Sequence, residues 1–170
     1  RGLGDVYKRQ EDSIAALAET KGVSELEVIY DEFLKNGGTN LVYACFTPYD
    51  NHKLDFVERA YSLKSSVAGG SDGGAHCGLI CDASMPTTNL SHWARDREAG
   101  KKIPIELIVR KQTKDTAETY GLFDRGEIKT GMLADLNIID FENLNVTHPK
   151  MVYDLPMGGR RLIQNSFGYL

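Results

Sequence analysis

The chain has 170 residues, 41% of them apolar and 26% charged, enough for one domain core and too mixed for a disordered polymer. Twenty basic against twenty-four acidic side chains give a formal charge of −4, and no basic stripe is interleaved with aromatics, which argues against a nucleic-acid partner. No run reaches the roughly 18 apolar residues of a membrane span, and the three cysteines, Cys45, Cys77 and Cys81, are too few and odd in number for a disulfide framework. That usage suits a reducing, cytoplasmic compartment.

Arg1 to Gln10 has no initiator Met and no apolar periodicity, and it leads abruptly into a helical pattern. It resembles the translated adapter tails found at broken ends of sequences assembled from environmental DNA. The expectation is therefore a non-native leader over 1–10 and a chain truncated upstream.

A short helix is predicted near Ser13 to Thr20, stopped by Gly22. Ser24-Glu25-Leu26-Glu27 has the form of a capping box opening a second helix. Leu26, Ile29, Tyr30, Phe33 and Leu34 make one apolar stripe, expected against a core, until Asn36-Gly37-Gly38 ends the helix. Leu41 to Phe46 then reads as a strand, followed by a turn at Pro48-Tyr49-Asp50-Asn51 and a helix with Leu54, Val57 and Tyr61 on one face. A second strand is predicted near Ser66 to Ser71. Strand, helix, strand with a helix-length crossover is the pattern of parallel βαβ units, which fits a barrel and an open doubly wound sheet alike.

The apolar run around Val67 ends in Ser71-Asp72-Gly73-Gly74-Ala75-His76. A parallel strand is covered on both faces and tolerates charge at its end, where barrel active sites lie, so Asp72 is the leading catalytic candidate. About thirty residues then pass before a helix opened by Pro104, far more than the roughly 2 to 6 of an ordinary βα loop. Within that stretch Thr88 to Glu98 reads as an extra helix with Leu90, Trp93 and Ala94 on one side and Arg95 and Arg97 near its end. From Gly121 onward the pattern turns to short strands and turns, including Val152-Tyr153-Asp154 and Arg161-Leu162-Ile163-Gln164.

Ser71-Asp72-Gly73-Gly74-Ala75-His76 together with Gly126-x-Ile128-x-x-Gly131-x-x-Ala134-Asp135-Leu136 resembles the amidohydrolase superfamily, in its N-acyl-D-amino-acid deacylase branch. The tail Tyr153-Asp154-Leu155-Pro156-x-Gly158-Gly159-Arg160-Arg161 is similar to the same branch. The resemblance implies an α/β chain whose residues 11–122 are the C-terminal part of a metal-dependent (β/α)8 barrel, followed over 123–170 by part of a small β-sandwich. It also implies zinc or another divalent metal, with Asp72 at the end of strand eight as a metal ligand. There Asp72 would take the proton of metal-bound water as hydroxide attacks an amide carbonyl, then hand it to the leaving amine. The substrate would be a small-molecule amide, an N-acyl-D-amino acid. His76 is a candidate substrate contact, and Arg95 and Arg97 are candidate forks for a substrate carboxylate, although His92-Trp93-Ala94-Arg95-Asp96-Arg97 replaces the branch's usual His-Pro-Arg.

The family's His-x-His metal pair does not occur in this sequence, so the resemblance implies ligands elsewhere and a fragment inactive alone. The alternatives are a cyclic-amide hydrolase of the dihydropyrimidinase or hydantoinase type, and a non-catalytic binding domain. In either case the edges of half a barrel would need cover, for which self-association is one route.

Other polar residues read as structural. Cys77 and Cys81 beside His76 lack the four-ligand pattern of a structural zinc site. His52 reads as a solvated turn residue, His148 as plain surface, and Asp135 and Asp140 as turn and edge residues.

Overall fold

A computed structural model describes residues 12–44, 54–69, 71, 73, 78–79 and 82–170. They fall into two compact units, one within Tyr7–Lys53 and one within Leu54–Leu170.

The first unit is a helical pair. α1 (Ile14–Lys21) is capped by Ser13, whose hydroxyl accepts the Ala16 amide at 3.1 Å. It ends where Gly22 turns left-handed at φ 68°, so that Val23 donates back to the Ala18 carbonyl at 3.1 Å. α2 (Glu25–Gly38) is capped by Ser24, whose hydroxyl accepts the Glu27 amide at 3.2 Å. Its helical geometry breaks at Lys35, with Asn36 and Gly37 both at positive φ. The caps follow the sequence, and the expected apolar stripe does not. Leu26, Tyr30, Phe33 and Leu34 are each half or more exposed, while Val28 is the α2 residue fully buried. α1 and α2 pack on each other, and two short helices can cover only part of each other's surface.

In the second unit, α3 (Asp55–Ser62) carries two acids in its first turn and Arg59 in its last, both favourable to the helix dipole. α4 (Met85–Thr88) has Pro86 in its first turn. It runs into a π-helical segment, Asn89–Asp96, that closes with the Arg97 amide donating to the carbonyl five residues back, His92, at 2.8 Å. Asn89, Leu90, Ser91 and Trp93 are all buried there. α5 (Ile105–Gln112) starts after Pro104, and α6 (Lys114–Thr119) follows at once. Ile103, Ile108, Leu90, Trp93 and Ala117 form the helical part of the core, and full burial of a side chain such as Ile108 stabilises by about 1.5–3 kcal/mol.

The strands are antiparallel and lie near the end of the chain. β1 (Asn145–Val146) pairs with β4 (Ser166–Phe167), Asn145 opposite Phe167. The pairing extends outward through a bridge between Ile139 and Tyr169. β2 (Lys150–Leu155) and β3 (Gly159–Ile163) form a hairpin in which Met151 faces Leu162. Its irregular turn holds Met157 at φ 58°. The predicted segments at Val152 and Arg161 are thus strands. Gly131–Leu136 is not, and Leu133, Leu136 and Ile138 stand exposed.

The two earlier predicted strands also differ from the structure over their described residues. Residues 41–44 and 66–69 carry no β-ladder, and the remainder of Leu41–Phe46 lies outside the described residues. In the second segment the Ser66 carbonyl accepts from the Lys111 ammonium of α5, and the Ala68 carbonyl stands 3.4 Å from the Thr116 hydroxyl of α6. The described residues thus form a mixed α/β chain of short helices and antiparallel strands.

Candidate functional site

Asp72, His76, Cys77, Cys81, Cys45 and His52 lie outside the described residues. The chain on either side of Asp72 is described in part. Ser71 is exposed, and Gly73 passes so close to Ala83 that a side-chain carbon on it would stand 3.1 Å from the Ala83 Cβ.

The approach to Asp72 is held by α5 and α6. The Lys111 ammonium donates to the carbonyls of Leu63, at 2.8 Å, and Ser66. It also pairs with Asp115 Oδ2 at 3.4 Å. The Thr116 hydroxyl donates to the Lys111 carbonyl at 2.6 Å and stands 3.4 Å from the Ala68 carbonyl. Asp115 is further held by Arg110 Nε at 2.8 Å. That hydrogen bond is the main reason the Asp115 carboxyl sits below the usual carboxylate range. Tyr61, on α3 beside this cluster, has its phenol pushed up by burial, against a smaller opposing effect of a hydrogen bond with Asn89.

Arg95 and Arg97 diverge, as neighbours two apart on a helix must. Arg95 forks onto its neighbour Asp96 at 2.6 and 2.8 Å. It also donates to the carbonyls of Phe141, of Glu142 at 3.2 Å and of Leu144 at 2.8 Å. The hydrogen bond lowers the Asp96 carboxyl and raises the Arg95 guanidinium. Arg97, its side chain 1% exposed, donates to Asp55 Oδ1 at 2.7 Å and to the Lys101 carbonyl at 2.6 Å. Its guanidinium carbon stacks 4.6 Å from the Trp93 ring centroid. A substrate carboxylate at Arg97 would have to displace Asp55. The sequence signalled these arginines by type and position and offered Asp96 or Glu98 as an ion-pair partner, and Arg95 does take Asp96; Asp55 and the backbone carbonyls carried no such signal. Lys111 was not singled out at all, since a lysine on an amphipathic helix reads as a solvated residue.

Of the residues read as structural, Asp140 does hold a turn, accepting from the Asn143 amide at 3.3 Å and its side-chain nitrogen at 2.7 Å. His148 is exposed between β1 and β2.

The larger described concavity, about 670 Å³, is an open groove along α5 and α6 bordered by Val109, Lys114 and Glu127. It is distinct from the carbonyl cluster, which adjoins a smaller cavity of about 120 Å³ lined by Phe56, Tyr61, Val67 and Lys111. Among the described residues no three His, Cys, Asp or Glu side chains converge to hold a metal ion. The described donors therefore do not by themselves fit a divalent-metal site, and what they supply is hydrogen bonding and fixed charge. Among the same residues no helix is long and apolar enough to cross a membrane.

Residues 10–160 match the Amidohydrolase family, and the chain belongs to that family. Its members are hydrolases that generally use divalent metals. No curated protein and no solved structure matches the chain.

Proposed function

We propose that this chain supplies the C-terminal part of a hydrolase for non-peptide amide C–N bonds, with N-acyl-D-amino acids as substrates and Asp72 as the acid–base residue. The observation that carries the reading is the family match over residues 10–160, which encloses Ser71-Asp72-Gly73-Gly74-Ala75-His76 at the end of a chain segment pinned by two helices. In the proposed reaction the Asp72 carboxylate accepts a proton from the attacking water as its oxygen bonds to the amide carbonyl carbon. The same proton passes to the nitrogen as the C–N bond breaks, releasing a carboxylic acid, which keeps the second proton of the water until it ionises in solution, and an amine. One carboxylate serves both transfers and ends as it began.

Within this reading His76 contacts the substrate. Arg95, whose side chain is 20% exposed, is better placed than Arg97 to add a substrate carboxylate to its existing acceptors. Zinc or another divalent metal, with Asp72 among its ligands, belongs to the proposal as a family trait.

The experiment is hydrolysis by the complete enzyme of N-acyl-D-amino acids, their L-enantiomers and hydantoins, with and without Asp72→Asn. The expected result is preference for the D-series and a loss of turnover by about 10²-fold or more in the variant. A near-normal rate in Asp72→Asn removes Asp72 from the mechanism, and a preference for hydantoins replaces the acyl-amino-acid substrate with a cyclic amide.

A further inference from the structure

We propose that Asn36, followed by Gly37, is a site of spontaneous deamidation through a cyclic imide, and that the conversion unfastens the end of α2. The pair stands there for a conformational reason. α2 leaves helical geometry at Lys35, and the chain then holds three left-handed residues in a row, Asn36 at φ 54°, Gly37 at φ 68° and Gly38 at φ 82°. Glycine takes that region freely, and asparagine is one of the few other residues that visit it. Two contacts fasten this stop. The Thr39 hydroxyl donates to the Asn36 carbonyl at 2.9 Å, and the Asn40 side-chain nitrogen donates to the Glu32 carbonyl at 3.0 Å.

The residues that suit the stop are also a reactive pair. Of the eight asparagines in the chain, Asn36 alone precedes a glycine. Both residues are exposed. A Cβ on Gly37 would meet no atom within 4 Å, so nothing crowds the approach of the Gly37 nitrogen to the Asn36 side chain. Among the described residues no hydrogen bond holds the Asn36 side-chain amide. By contrast Asn40 is tied to Glu32 and Asn143 to Asp140, and Asn89 is buried with a hydrogen bond to Tyr61. Each of those three precedes a leucine.

The reaction needs only water and hydroxide. Hydroxide takes the Gly37 amide proton, and the nitrogen attacks Asn36 Cγ. The new Cγ–N bond closes the imide as the Cγ–Nδ2 bond breaks, and the departing nitrogen takes a proton from water to leave as ammonia, restoring hydroxide. Water then opens the imide, its oxygen bonding to one carbonyl carbon while one of its protons goes to the Gly37 nitrogen. Opening at Cγ gives aspartate, and opening at the main-chain carbonyl gives isoaspartate, whose chain runs on through Cβ and Cγ. Either product sets a carboxylate beside the last carbonyls of α2, the negative end of the helix dipole. Isoaspartate also lengthens the backbone between Glu32 and Asn40, which displaces the contact that fastens the stop.

The test is to hold the purified chain at mildly alkaline pH and follow each asparagine by peptide mass and by enzymatic methylation of isoaspartate. The Asn40 side-chain amide is recorded in parallel by nitrogen-15 spectroscopy. The expected result is conversion at Asn36 ahead of every other asparagine, faster as pH rises, with the Asn40 signal shifting toward that of a solvated asparagine in step. Asn36→Gly keeps a residue suited to the left-handed stop and removes the amide, and is expected to hold the Asn40 signal constant over the same period. An Asn36 that stays intact in the folded chain, while the guanidinium-unfolded chain converts it, overturns the site. Conversion that leaves the Asn40 signal unmoved overturns the unfastening. Neither readout involves turnover, so the hydrolase reading stands or falls separately.

Discussion

Arg97 Nη2 meets Asp55 Oδ1 at 2.7 Å, joining the end of the π-helical segment to the start of α3 through a guanidinium that solvent scarcely reaches. Asp55 is half exposed and can rehydrate when released; Arg97 cannot. Truncation of the arginine removes the ion pair, the Lys101 carbonyl contact and the Trp93 stack together. Arg97→Ala is expected to destabilise by about 1–2 kcal/mol through the lost hydrogen bonds and aromatic stack, measured by denaturant unfolding. A change near zero would show that the pair is isolated from the fold.

Gly100 borders the same pair. A side-chain carbon there would lie 2.6 Å from Arg97 Nη2 and 2.8 Å from Asp55 Oδ1. Gly100→Ala should therefore destabilise the protein, and much of that effect should vanish in an Arg97→Ala background. Additive losses in the double variant would place the strain elsewhere.

Gly168 turns at φ +100° with Leu144 Cα only 2.7 Å from where a Cβ would stand. A backbone atom cannot swing away as a flexible side chain can. Gly168→Ala is expected to destabilise by about 2 kcal/mol or more through strain and overpacking. Thermal unfolding would read this as a lowered Tm, with Gly131→Ala as the control. Gly131 also has positive φ but meets no atom within 4 Å, so its loss should be smaller.

The Asp115 carboxyl is held down chiefly by the Arg110 hydrogen bond and also by Lys111. A depressed folded pKa means that the unfolded chain binds the proton first. The associated stability is fully present above the unfolded value, about 3.9, and is lost as pH falls through the folded one. Unfolding curves from neutral pH down to strongly acidic solution should therefore separate the wild type from Asp115→Asn at the upper end and bring them together at the lower. A constant gap at every pH would detach Asp115 from acid sensitivity.

Arg95 reaches three carbonyls and Asp96 at once, a task for a planar fork. Arg95→Lys keeps the charge and loses the geometry, and is expected to destabilise by about 1–2 kcal/mol. The 141–144 loop should also become easier to cleave by protease. Unchanged stability and cleavage would mean that a single point charge is enough there.

Local features were the legible ones. Ser13 and Ser24 announce helix starts because a short side-chain oxygen before a periodic run has one common use, and both hydroxyls do accept an amide. Gly22 and Asn36-Gly37 announce helix ends through the left-handed conformations they then adopt. The extra helix after Asp72 was likewise readable from Leu90 and Trp93, although its π geometry was not. What failed was inference from apolar content to partner. Val67 and its neighbours read as a strand, but a ladder needs a second chain segment, and the Ser66 carbonyl goes to Lys111. Leu26, Tyr30, Phe33 and Leu34 read as a buried stripe, because periodicity reports a helix face and cannot report what covers it.

The Thr87 hydroxyl lies 2.9 Å from that of Ser166 and 2.7 Å from that of Tyr169, across 79 and 82 positions of chain. Such contacts close very long loops, and loop closure must precede any reward from the contact. On a ribosome, α4 therefore leaves the exit tunnel well before the residues that fasten it have been made. The short-range helices can form in that interval, whereas the β1–β4 pairing must wait until Ser166 and Phe167 have emerged. Truncation of only the last five residues should on this account disturb α4, near the middle of the sequence, while leaving the α1–α2 pair as it was.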